Sequence, residues 1–456
     1  MTNLAQALLE RNTDYPDGAA YIDAHGTTTY GEMSTLSRCY AGWFVSQGLE
    51  IGDRVMILMP DSARSIAVFL GAILAGGIAV PTNARGRAEN IQQQTEISGA
   101  KFVITAPPDV RGLAPITEPR TAEPVAFMLW TSGTTGHSKA VMHGHASTIQ
   151  GCQGTQQAFG MQRGQRLYQT TKFHHCYGFT HNLLMSYWAG GTALLDPDPV
   201  VPARIRRNIE EFDPDFLFSV PVLYSQLCSR SGIGRVKAVC VSAGDRLPPV
   251  LIALWLQHTG QHLVNQLGNT EMLIPMMLDG MPVAGNSYRI VDSAGEEIHD
   301  AAIGHLQAQG PCKAQGYWQD EYWTQRTFTE WFTTGDLFYR DAQSCYHHVG
   351  RTGDVIKTMG NFINPSEIED TLQEHPTVEQ AAVVARHWMD GIDRIEAYVV
   401  AAPGQVIDMS TLRRWVLQQH ERHACPRKIH VVDSLPRTDS GKVQRFRLRH
   451  ADPLIS

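Results

Sequence analysis

Short apolar runs alternate with longer apolar segments along the first part of the chain. Residues 54–59 form a run of strand length, residues 63–74 are long enough for a helix, and residues 77–80 form another short run before Pro81. Because strands that alternate with helices usually build a parallel sheet, this pattern predicts an α/β fold. The longest apolar stretch, residues 65–80, is interrupted by glycine and too short to span a membrane, so it predicts a buried helix that leads into a strand.

Two changes in this pattern predict boundaries. Residues 105–124 hold five prolines and few large apolar side chains, which is typical of an exposed connector. Near residues 350–354 the alternation of strand-like and helix-like segments stops, and it starts again beyond them. We therefore predict a large N-terminal domain of α/β subdomains, residues 1–352, and a small C-terminal α/β domain, residues 353–456.

The C-terminal part carries helix and strand signals of its own. Asn364 and Pro365 are a typical N-cap and first helical residue. Residues 381–384 and 396–400 have the pattern of strands, and residues 411–420 have that of a helix. Roughly 100 residues with these elements are enough for a small α/β domain.

Composition and charge exclude several classes of protein. The chain has 456 residues, 43% of them hydrophobic, and a net charge of −7, so bulk electrostatics do not indicate a nucleic-acid binder. Its eight cysteines are scattered without a Cys-x-x-Cys pair, which favours reduced thiols. No targeting segment or membrane span is expected, so we predict a cytoplasmic protein. The oligomeric state is left open.

Positive charge is concentrated near the C-terminus. Residues 411–450 contain ten lysines and arginines and three acidic residues, a local charge of +7. One interpretation is a solvated surface. The other is a docking surface for an anionic partner, either a phosphorylated cofactor or an acidic carrier protein.

The chemistry begins in a polar loop after the strand-like residues 125–130. This loop, residues 131–139, contains hydroxyl side chains, two glycines and a lysine. Glycine lets the backbone turn its N–H groups inward, hydroxyl groups can join them around a phosphate, and Lys139 adds a positive charge. The glycine spacing is not that of a P-loop, because Gly133 and Gly136 are too close together and no Gly-Lys pair follows.

Further polar motifs follow in order along the chain. Glu271 comes after an apolar run, where its carboxylate could hold a hard cation such as Mg²⁺. Residues 334–337 contain a Thr-Gly-Asp sequence, residues 350–351 contain Gly-Arg, and Lys442 lies in a polar segment near the C-terminus.

Together, this ordered series resembles the motifs of the adenylate-forming superfamily, which comprises acyl-CoA and aryl-CoA synthetases, luciferases and the adenylation domains of peptide synthetases. The resemblance extends from Thr29 to Arg449 and is strongest to the benzoate–CoA ligase branch. It implies the adenylate-forming fold with a mobile C-terminal domain. It also implies an AMP-forming acid–thiol ligase that uses ATP and Mg²⁺.

The resemblance assigns roles to individual residues. It makes Lys442 the catalytic residue, Glu271 the magnesium ligand and Gly353 the hinge. A cation at Lys442 would offset the repulsion between an attacking carboxylate and a phosphate. The residues that it assigns to ATP and AMP binding are Thr131, Ser132, Gly133, Thr134, Thr135, Gly136, Lys139, Gly244, Asp245, Gly268, Asn269, Thr270, Asp336 and Arg351.

The chain departs from the superfamily pattern at several positions. His137 and Ser138 stand where proline is usual, Leu267 replaces the aromatic residue that usually stacks on adenine, and Gly353 replaces the usual Asp or Lys. The portion before Thr131 is also shorter than in most members, which could alter the outer pocket.

The resemblance places the acid pocket in residues 173–179. Its predicted substrate residues are His175, Cys176, Tyr177 and Gly178, together with Gly268. The segment lacks the Asp that binds the ammonium group of amino acids, so we predict an aromatic, benzoate-type acid. Ile274 stands where benzoate-type enzymes often have His, which leaves ring substitution open.

Alternatives remain for the substrate, the acceptor and the class of protein. A short or medium aliphatic acid is the second choice of substrate. The acceptor thiol belongs either to CoA or to the phosphopantetheine of an acyl carrier protein. A non-catalytic nucleotide-binding protein of the same fold is the alternative class. The paired histidines at 143 and 145, 174 and 175, and 347 and 348 lack the spacing and third ligand of a zinc site.

Overall fold

The computed structural model describes residues 2–120, 124–132, 138–229, 233–358, 361–387, 393–437 and 443–450. Two compact units make up the chain. The first comprises Met1–Leu247, Leu254–Ser287 and Ala308–Phe332, and the second comprises Pro248–Ala253, Tyr288–Gln307 and Thr333–Ser456.

The strands of the described residues are numbered in chain order. They are β1 Ala19–Asp23, β2 Gly26–Thr29, β3 Arg54–Ile57, β4 Ile78–Pro81, β5 Phe102–Ile104, β6 Val125–Ser132, β7 Ser138–Gly144, β8 Arg166–Gln169, β9 Thr192–Leu194, β10 Phe216–Ser219, β11 Val239–Ser242, β12 Leu263–Leu267, β13 Met277–Leu278, β14 Met281–Pro282, β15 Ser287–Val291, β16 Gly304–Gln309, β17 Gly316–Tyr317, β18 Phe332–Arg340, β19 Tyr346–Arg351, β20 Ile356–Thr358, β21 Asn361–Ile363, β22 Val378–His387, β23 Asp393–Ala401 and β24 Lys428–Val431.

The helices are numbered in the same way. They are α1 Leu4–Glu10, α2 Tyr30–Ser46, α3 Ala63–Leu74, α4 Ala88–Ser98, α5 His145–Phe159, α6 Cys176–Phe179, α7 Ser186–Ala189, α8 Pro202–Phe212, α9 Pro221–Ser229, α10 Pro249–Thr259, α11 Glu321–Thr327, α12 Pro365–Gln373, α13 Met409–Gln419 and α14 Arg445–His450, with a π-helical turn over Thr180–Met185 between α6 and α7.

Two mainly parallel sheets form the first unit. The strand order of one is β14-β13-β12-β11-β10-β8-β9-β1-β2, with parallel pairing from β12 to β1. The other has the order β17-β7-β6-β4-β3-β5, with parallel pairing from β6 to β5. This confirms the predicted α/β fold. Because ligands bind beyond the carboxyl ends of parallel strands, the turns after β6, β11 and β12 are positioned for a site.

Helix α3 shows how the sequence produces this core. It begins at Ser62, whose hydroxyl accepts a hydrogen bond from the backbone N–H of Ser65 at 3.1 Å. Every residue of α3 except Arg64 is buried, as expected for a helix that is apolar on all sides. Its Gly71 allows close packing on α2, since a Cβ atom there would lie 2.7 Å from the Cβ of Tyr40.

The predicted elements of the first unit are confirmed. Strand β3 covers most of the run at 54–59, α3 matches residues 63–74, and β4 follows. Within the connector, the described residues 105–120 contain no helix or strand.

The elements predicted for the C-terminal part are also confirmed. Asn364 caps α12, because its side-chain oxygen accepts a hydrogen bond from Ser366 N at 3.0 Å. Strands β22 and β23 pair antiparallel over the two predicted runs, and α13 occupies the predicted helix. The second unit also contains a sheet in the order β15-β16-β18-β19.

A buried ion pair ties the last described helix to this second unit. Arg445, the first residue of α14, donates from Nη2 to both carboxylate oxygens of Glu369, at 2.9 Å and 2.8 Å. Glu369 Oε1 also accepts from the backbone N–H of Val383 at 2.7 Å. The side chains of Arg445 and Glu369 are only 21% and 8% exposed. Arg445 therefore belongs to the fold of the unit rather than to an open basic surface.

We expect Glu369→Ala to destabilise the second unit by about 3 kcal/mol, because it leaves Arg445 buried without its bidentate partner. Urea unfolding followed by hydrogen exchange of β22 measures the loss. Glu374→Ala, at the exposed end of the same helix, is the matched control and should cost well under 1 kcal/mol. Equal losses in the two variants would contradict the role of the ion pair.

Candidate active site

The first predicted loop lies at the end of β6. Thr131 pairs with Lys139, and Ser132 pairs with Ser138, in the antiparallel register of β6 and β7. Strands β6 and β7 are therefore paired up to the two ends of the predicted loop. The predicted phosphate-binding residues Gly133, Thr134, Thr135 and Gly136 lie outside the described residues.

Lys139 projects towards two aromatic side chains. Its Nζ lies 4.0 Å from the ring centroid of Trp323 and 4.7 Å from that of Tyr317. Partial burial lowers the pKa of Lys139, while the nearby carboxylates of Asp320 and Glu271 oppose that shift. The sequence analysis missed both rings, because nothing in the sequence connects positions so far apart.

The turn after β12 contains the predicted metal ligand and its neighbours. Asn269 Oδ1 accepts from Met272 N at 2.9 Å, which holds the turn that begins at Gly268. Glu271 Oε1 accepts from the hydroxyl group of Tyr317 at 3.0 Å. The carboxylate of Glu271 is thus fixed by the same aromatic residue that faces Lys139.

The donor set around Glu271 fits Mg²⁺. In the described part of the chain, the only group of three potential ligands whose ligand atoms lie together is that of Asp341, Cys345 and His347, in the second unit. Glu271 would therefore act as a protein ligand without an all-protein cage. Mg²⁺ is usually bound in this way, by one or two carboxylates together with substrate phosphates and water.

A buried histidine joins β7 to this turn. His143 is 1% exposed, and its ring forms a hydrogen bond with the backbone of Thr270. Burial lowers the pKa of His143 to about 3, so its ring is neutral at physiological pH. His145 Nδ1 accepts from Leu4 N at 3.0 Å, so this ring contacts α1.

The predicted acid segment contacts the turn after β12. Cys176 Sγ and the hydroxyl group of Thr180 both donate to the carbonyl oxygen of Leu273, at 3.4 Å and 2.7 Å. Leu273 has a φ of 65°, so the backbone is strained where it meets this segment. The structure therefore brings Cys176 and Thr180 into contact with the turn after β12.

Tyr177 connects the same segment to the central sheet. Its hydroxyl group donates to the carbonyl oxygen of Val241 on β11 at 3.1 Å, and burial raises its pKa well above the ordinary value. The carbonyl oxygen of Tyr177 accepts from Gln169 Nε2 at 2.9 Å. The His181 ring stacks on Phe218 at a centroid distance of 3.9 Å. Aromatic rings therefore join this segment to the sheet, and those of Tyr177 and His181 are neutral.

The structure also places Gly178 and His175, two predicted pocket residues. A Cβ atom at Gly178 would lie 2.2 Å from the carbonyl oxygen of Lys172, so glycine is required here for a close approach of the chain. His175 immediately precedes α6, and its ring lies 4.2 Å from that of His174. Burial lowers the pKa of His174, which keeps that ring neutral.

The turn after β11 holds the predicted nucleotide residues Gly244 and Asp245. Gly244 has a φ of 89°, which favours glycine. Asp245 is exposed, and its Oδ1 accepts from Arg246 N at 2.8 Å. Both positions therefore lie in a surface turn at the carboxyl end of a parallel strand.

The second unit brings the two predicted ribose-binding residues together. Asp336 and Arg351 are paired positions on β18 and β19, and Arg351 Nε lies 3.0 Å from Asp336 Oδ1. His348 Nε2 lies 3.3 Å from the same oxygen. Arg351 Nη1 also donates to the carbonyl oxygen of Thr334 at 3.1 Å. The sequence analysis did not identify His348 as a neighbour of this pair.

The predicted hinge is held by the last described helix. Arg449 Nη2 donates to the carbonyl oxygen of Gly353 at 2.9 Å and forms an ion pair with Asp354. A Cβ atom at Gly353 would meet open space, and its φ lies outside the left-handed region. Nothing in this conformation therefore requires glycine. The predicted catalytic Lys442 lies outside the described residues.

The cluster of Asp341, Cys345 and His347 is explained by a turn. Asp341 Oδ1 accepts from the backbone N–H groups of Gln343 and Cys345, both at 2.9 Å. Asp341 Oδ2 lies 2.7 Å from His347 Nε2. Both carboxylate oxygens are therefore engaged in hydrogen bonds that hold the loop between β18 and β19.

A buried carboxylate supports the start of the acid segment. Asp61 Oδ2 accepts from Phe173 N at 2.9 Å. Burial raises the pKa of Asp61 to about 6, although the neighbouring Lys172 acts in the opposite direction. Lys172 Nζ in turn donates to the carbonyl oxygen of Asp196. No sequence motif pointed to Asp61, because its role depends on a contact between distant segments.

Comparison with known proteins gives a family match over most of the chain. The sequence pattern of AMP-binding enzymes matches residues 8–119 and 106–318, and that of the AMP-binding enzyme C-terminal domain matches residues 367–442. No helix in the described residues is long and apolar enough to cross a membrane.

Individual relatives cover nearly the full length. The chain is 29% identical to the 3-hydroxybenzoate–CoA ligase of Aromatoleum sp. (strain CIB), over 95% of this chain and 93% of that protein. It is also 29% identical to the 4-hydroxybenzoate–CoA/benzoate–CoA ligase of Rhodopseudomonas palustris, over 98% and 94%. The solved structure of a benzoate CoA ligase from Burkholderia xenovorans LB400 is similar with a TM-score of 0.92 and 26% identity, over 98% of this chain and 100% of that one. The predicted adenylate-forming fold is therefore confirmed.

We expect the stability of the parent protein to fall as the pH rises from about 4 to about 6, relative to Asp61→Asn. The native pKa of Asp61 is about 6, above its ordinary value of 3.8, so the folded state binds the proton more tightly than the unfolded state. Above pH 6 the folded parent protein must bury the charge of Asp61. Its unfolding free energy should therefore fall by up to about 3 kcal/mol relative to that of Asp61→Asn. Urea unfolding at several pH values measures it. Parallel curves for the two proteins would rule out this titration.

Proposed function

Because the chain belongs to the family of AMP-binding enzymes, we propose that it is an AMP-forming ligase that joins an aromatic, benzoate-type acid to a thiol. The observation that carries this proposal is that residues 173–181 contact β11 and the turn after β12 through Cys176, through the hydroxyl group of Tyr177 and through the stacked ring of His181. No acidic residue lies in this segment to pair with an ammonium group. A flat aromatic ring fits such a segment better than an amino acid does.

In the first half-reaction, a carboxylate oxygen of the acid attacks the α-phosphorus of ATP. The bond to the leaving oxygen breaks, pyrophosphate departs, and acyl-AMP forms. Lys139 and the loop that starts at Thr131 would bind the phosphates, while Asp336 and Arg351 would bind the ribose. Lys442 would place a positive charge between the two reacting anions, where charge develops in the transition state.

Glu271 would hold Mg²⁺ for this step, and its fixed carboxylate supports that assignment. When bound, the ion neutralises part of the phosphate charge. The role of the chain is to orient Glu271 through Tyr317 and to keep the interior near His143 neutral.

In the second half-reaction, a thiolate attacks the acyl carbon, the carbon–oxygen bond to AMP breaks, and a thioester forms. We favour CoA as the thiol, because the similar enzymes of Aromatoleum and Rhodopseudomonas palustris are CoA ligases. The carrier-protein phosphopantetheine is the alternative acceptor. ATP and CoA are cytoplasmic, so we place the enzyme in the cytoplasm.

The basic segment 411–450 would face the acceptor. Its cations are not equivalent, because Arg445 is paired with Glu369 and Arg449 with Asp354. These two arginines are structural. Arg422, Arg427 and Arg447, which are exposed, are the better candidates for contact with an anionic acceptor.

We also propose that residues 1–352 and 353–456 act as two domains that pivot at Gly353. The two half-reactions need different groups at one acyl carbon, so Lys442 must leave before a thiol can enter. A Cβ atom at position 353 would meet open space in the conformation described here, so this conformation does not require glycine. We infer that the backbone freedom of Gly353 is used in a second conformation.

We expect ATP–pyrophosphate exchange with benzoate and hydroxybenzoates, and little exchange with amino acids. A panel of these acids, with short aliphatic acids included, measures the first half-reaction. Adding CoA to the best acid should then release AMP and give an acyl-CoA detectable by mass spectrometry. Exchange with amino acids alone would overturn the proposed substrate class, and no exchange with any acid would overturn the enzymatic function.

We expect Gly353→Pro to change the two half-reaction rates unequally, by tenfold or more in their ratio, on the order of what an impaired domain rotation costs. Proline fixes φ near −65° and so favours one conformation. Gly353→Ala is the control, because its Cβ atom meets open space here. Single-turnover assays of each step give the ratio. A well-folded proline variant with parental rates in both steps would show that the pivot lies elsewhere.

A further inference from the structure

Lys139 is held in an unusual way for a lysine that faces phosphate. Its ammonium group lies against two ring faces, Trp323 at 4.0 Å and Tyr317 at 4.7 Å from the centroids. Both distances are within the range of about 6 Å for cation–π attraction. Within the described part of the chain, no ion pair joins Lys139 to a carboxylate.

Tyr317 is fixed by the strand that carries it. Strand β17 pairs antiparallel with β7, so that Tyr317 lies opposite Val141, two residues beyond Lys139. The side chain is only 7% exposed, and its hydroxyl group donates to Glu271. The strand pairing and the contact with Glu271 therefore both position the ring beside Lys139.

Trp323 is fixed by the cap of α11. Its backbone N–H donates to the side chain of Asp320 at 3.1 Å, which sets the first turn of the helix. The hydroxyl group of Thr324 accepts from Tyr317 N at 2.9 Å and so joins the helix to β17. These contacts join the start of α11 to β17, and the Trp323 side chain, which is 38% exposed, lies over Lys139.

We propose that Trp323 and Tyr317 form an aromatic clamp that positions Lys139 for the phosphates of ATP, a role that rests on the proposed function. A carboxylate partner would neutralise the ammonium group. A ring face attracts it and leaves its full charge for an anion. Lysine has a flexible four-carbon stem, so a clamp also reduces the freedom that is lost when phosphate binds. Trp323 and Tyr317 are positioning residues, since they act through Lys139.

The first test compares ATP with adenosine. In Trp323→Leu we expect the dissociation constant of ATP to rise about fivefold, the size of one cation–π contact, and that of adenosine to stay constant. Trp323→Phe keeps a smaller ring and should recover most of the affinity. The matched control is Trp188→Leu, which removes the cation–π contact of the half-buried Trp188 with Arg11, at 5.1 Å. That control should bind ATP as the parent protein does.

The second test is a double-mutant cycle with Lys139→Met. If Trp323 acts through Lys139, Trp323→Leu has no further effect on ATP affinity once the ammonium group is absent. An equal loss in both backgrounds would overturn the proposal, because Trp323 would then act on the nucleotide or the fold directly. An equal loss for adenosine and ATP would overturn it as well.

The same four proteins also test the contact without nucleotide. The change in thermal midpoint in the double variant should differ from the sum of the changes in the two single variants, because the clamp is an interaction between Lys139 and Trp323. Additive midpoints would overturn the clamp, even in an enzyme that exchanges pyrophosphate. A different result would be a parent protein that binds no ATP, together with non-additive changes in the thermal midpoint. It would overturn the proposed function and the role of the clamp in it, but the contact itself would be established.

Discussion

Repulsion between anions is the constraint on which the rest of this structure depends. A carboxylate must approach a triphosphate, and both carry negative charge, so the protein has to supply fixed positive charge without filling the space between them. We propose that Lys139, which lies against two aromatic rings, supplies part of this charge. The carboxylate of Glu271 accepts a hydrogen bond from the hydroxyl group of Tyr317 and is suited to a divalent cation. One tyrosine therefore contacts both the proposed phosphate-binding cation and the proposed metal ligand.

Several titratable groups of β7 and of the predicted acid segment are neutral. Burial lowers the pKa values of His143 and His181 to about 3 and about 4, so neither ring is charged at physiological pH. The hydroxyl group of Tyr177 donates to a backbone carbonyl and remains protonated. Because charges interact more strongly in a medium of low polarity, neutral walls strengthen the effect of the few cations that are present. The same walls suit an uncharged aromatic ring.

The sequence was sufficient to predict local features and insufficient to predict contacts between distant segments. The helix at 63–74 and the N-cap at Asn364 follow from apolar runs and capping chemistry within a few residues. The pairing of Asp336 with Arg351 was implied only by motif resemblance, and the structure places them opposite each other. Asp61 and Trp323 had no signal, since their roles arise only when the chain folds back on β6, β7 and the acid segment.

The basic C-terminal segment shows why charge counting alone misleads. Arg445 and Arg449 contribute to its excess of positive charge, but both form ion pairs within the second unit, with Glu369 and Asp354. Arg445 binds α14 to the buried Glu369, and Arg449 binds the same helix to the carbonyl oxygen of Gly353. If Gly353 is the pivot, as proposed above, its movement must carry α14 with it or break the contact with Arg449. That arginine is then a restraint on the proposed hinge.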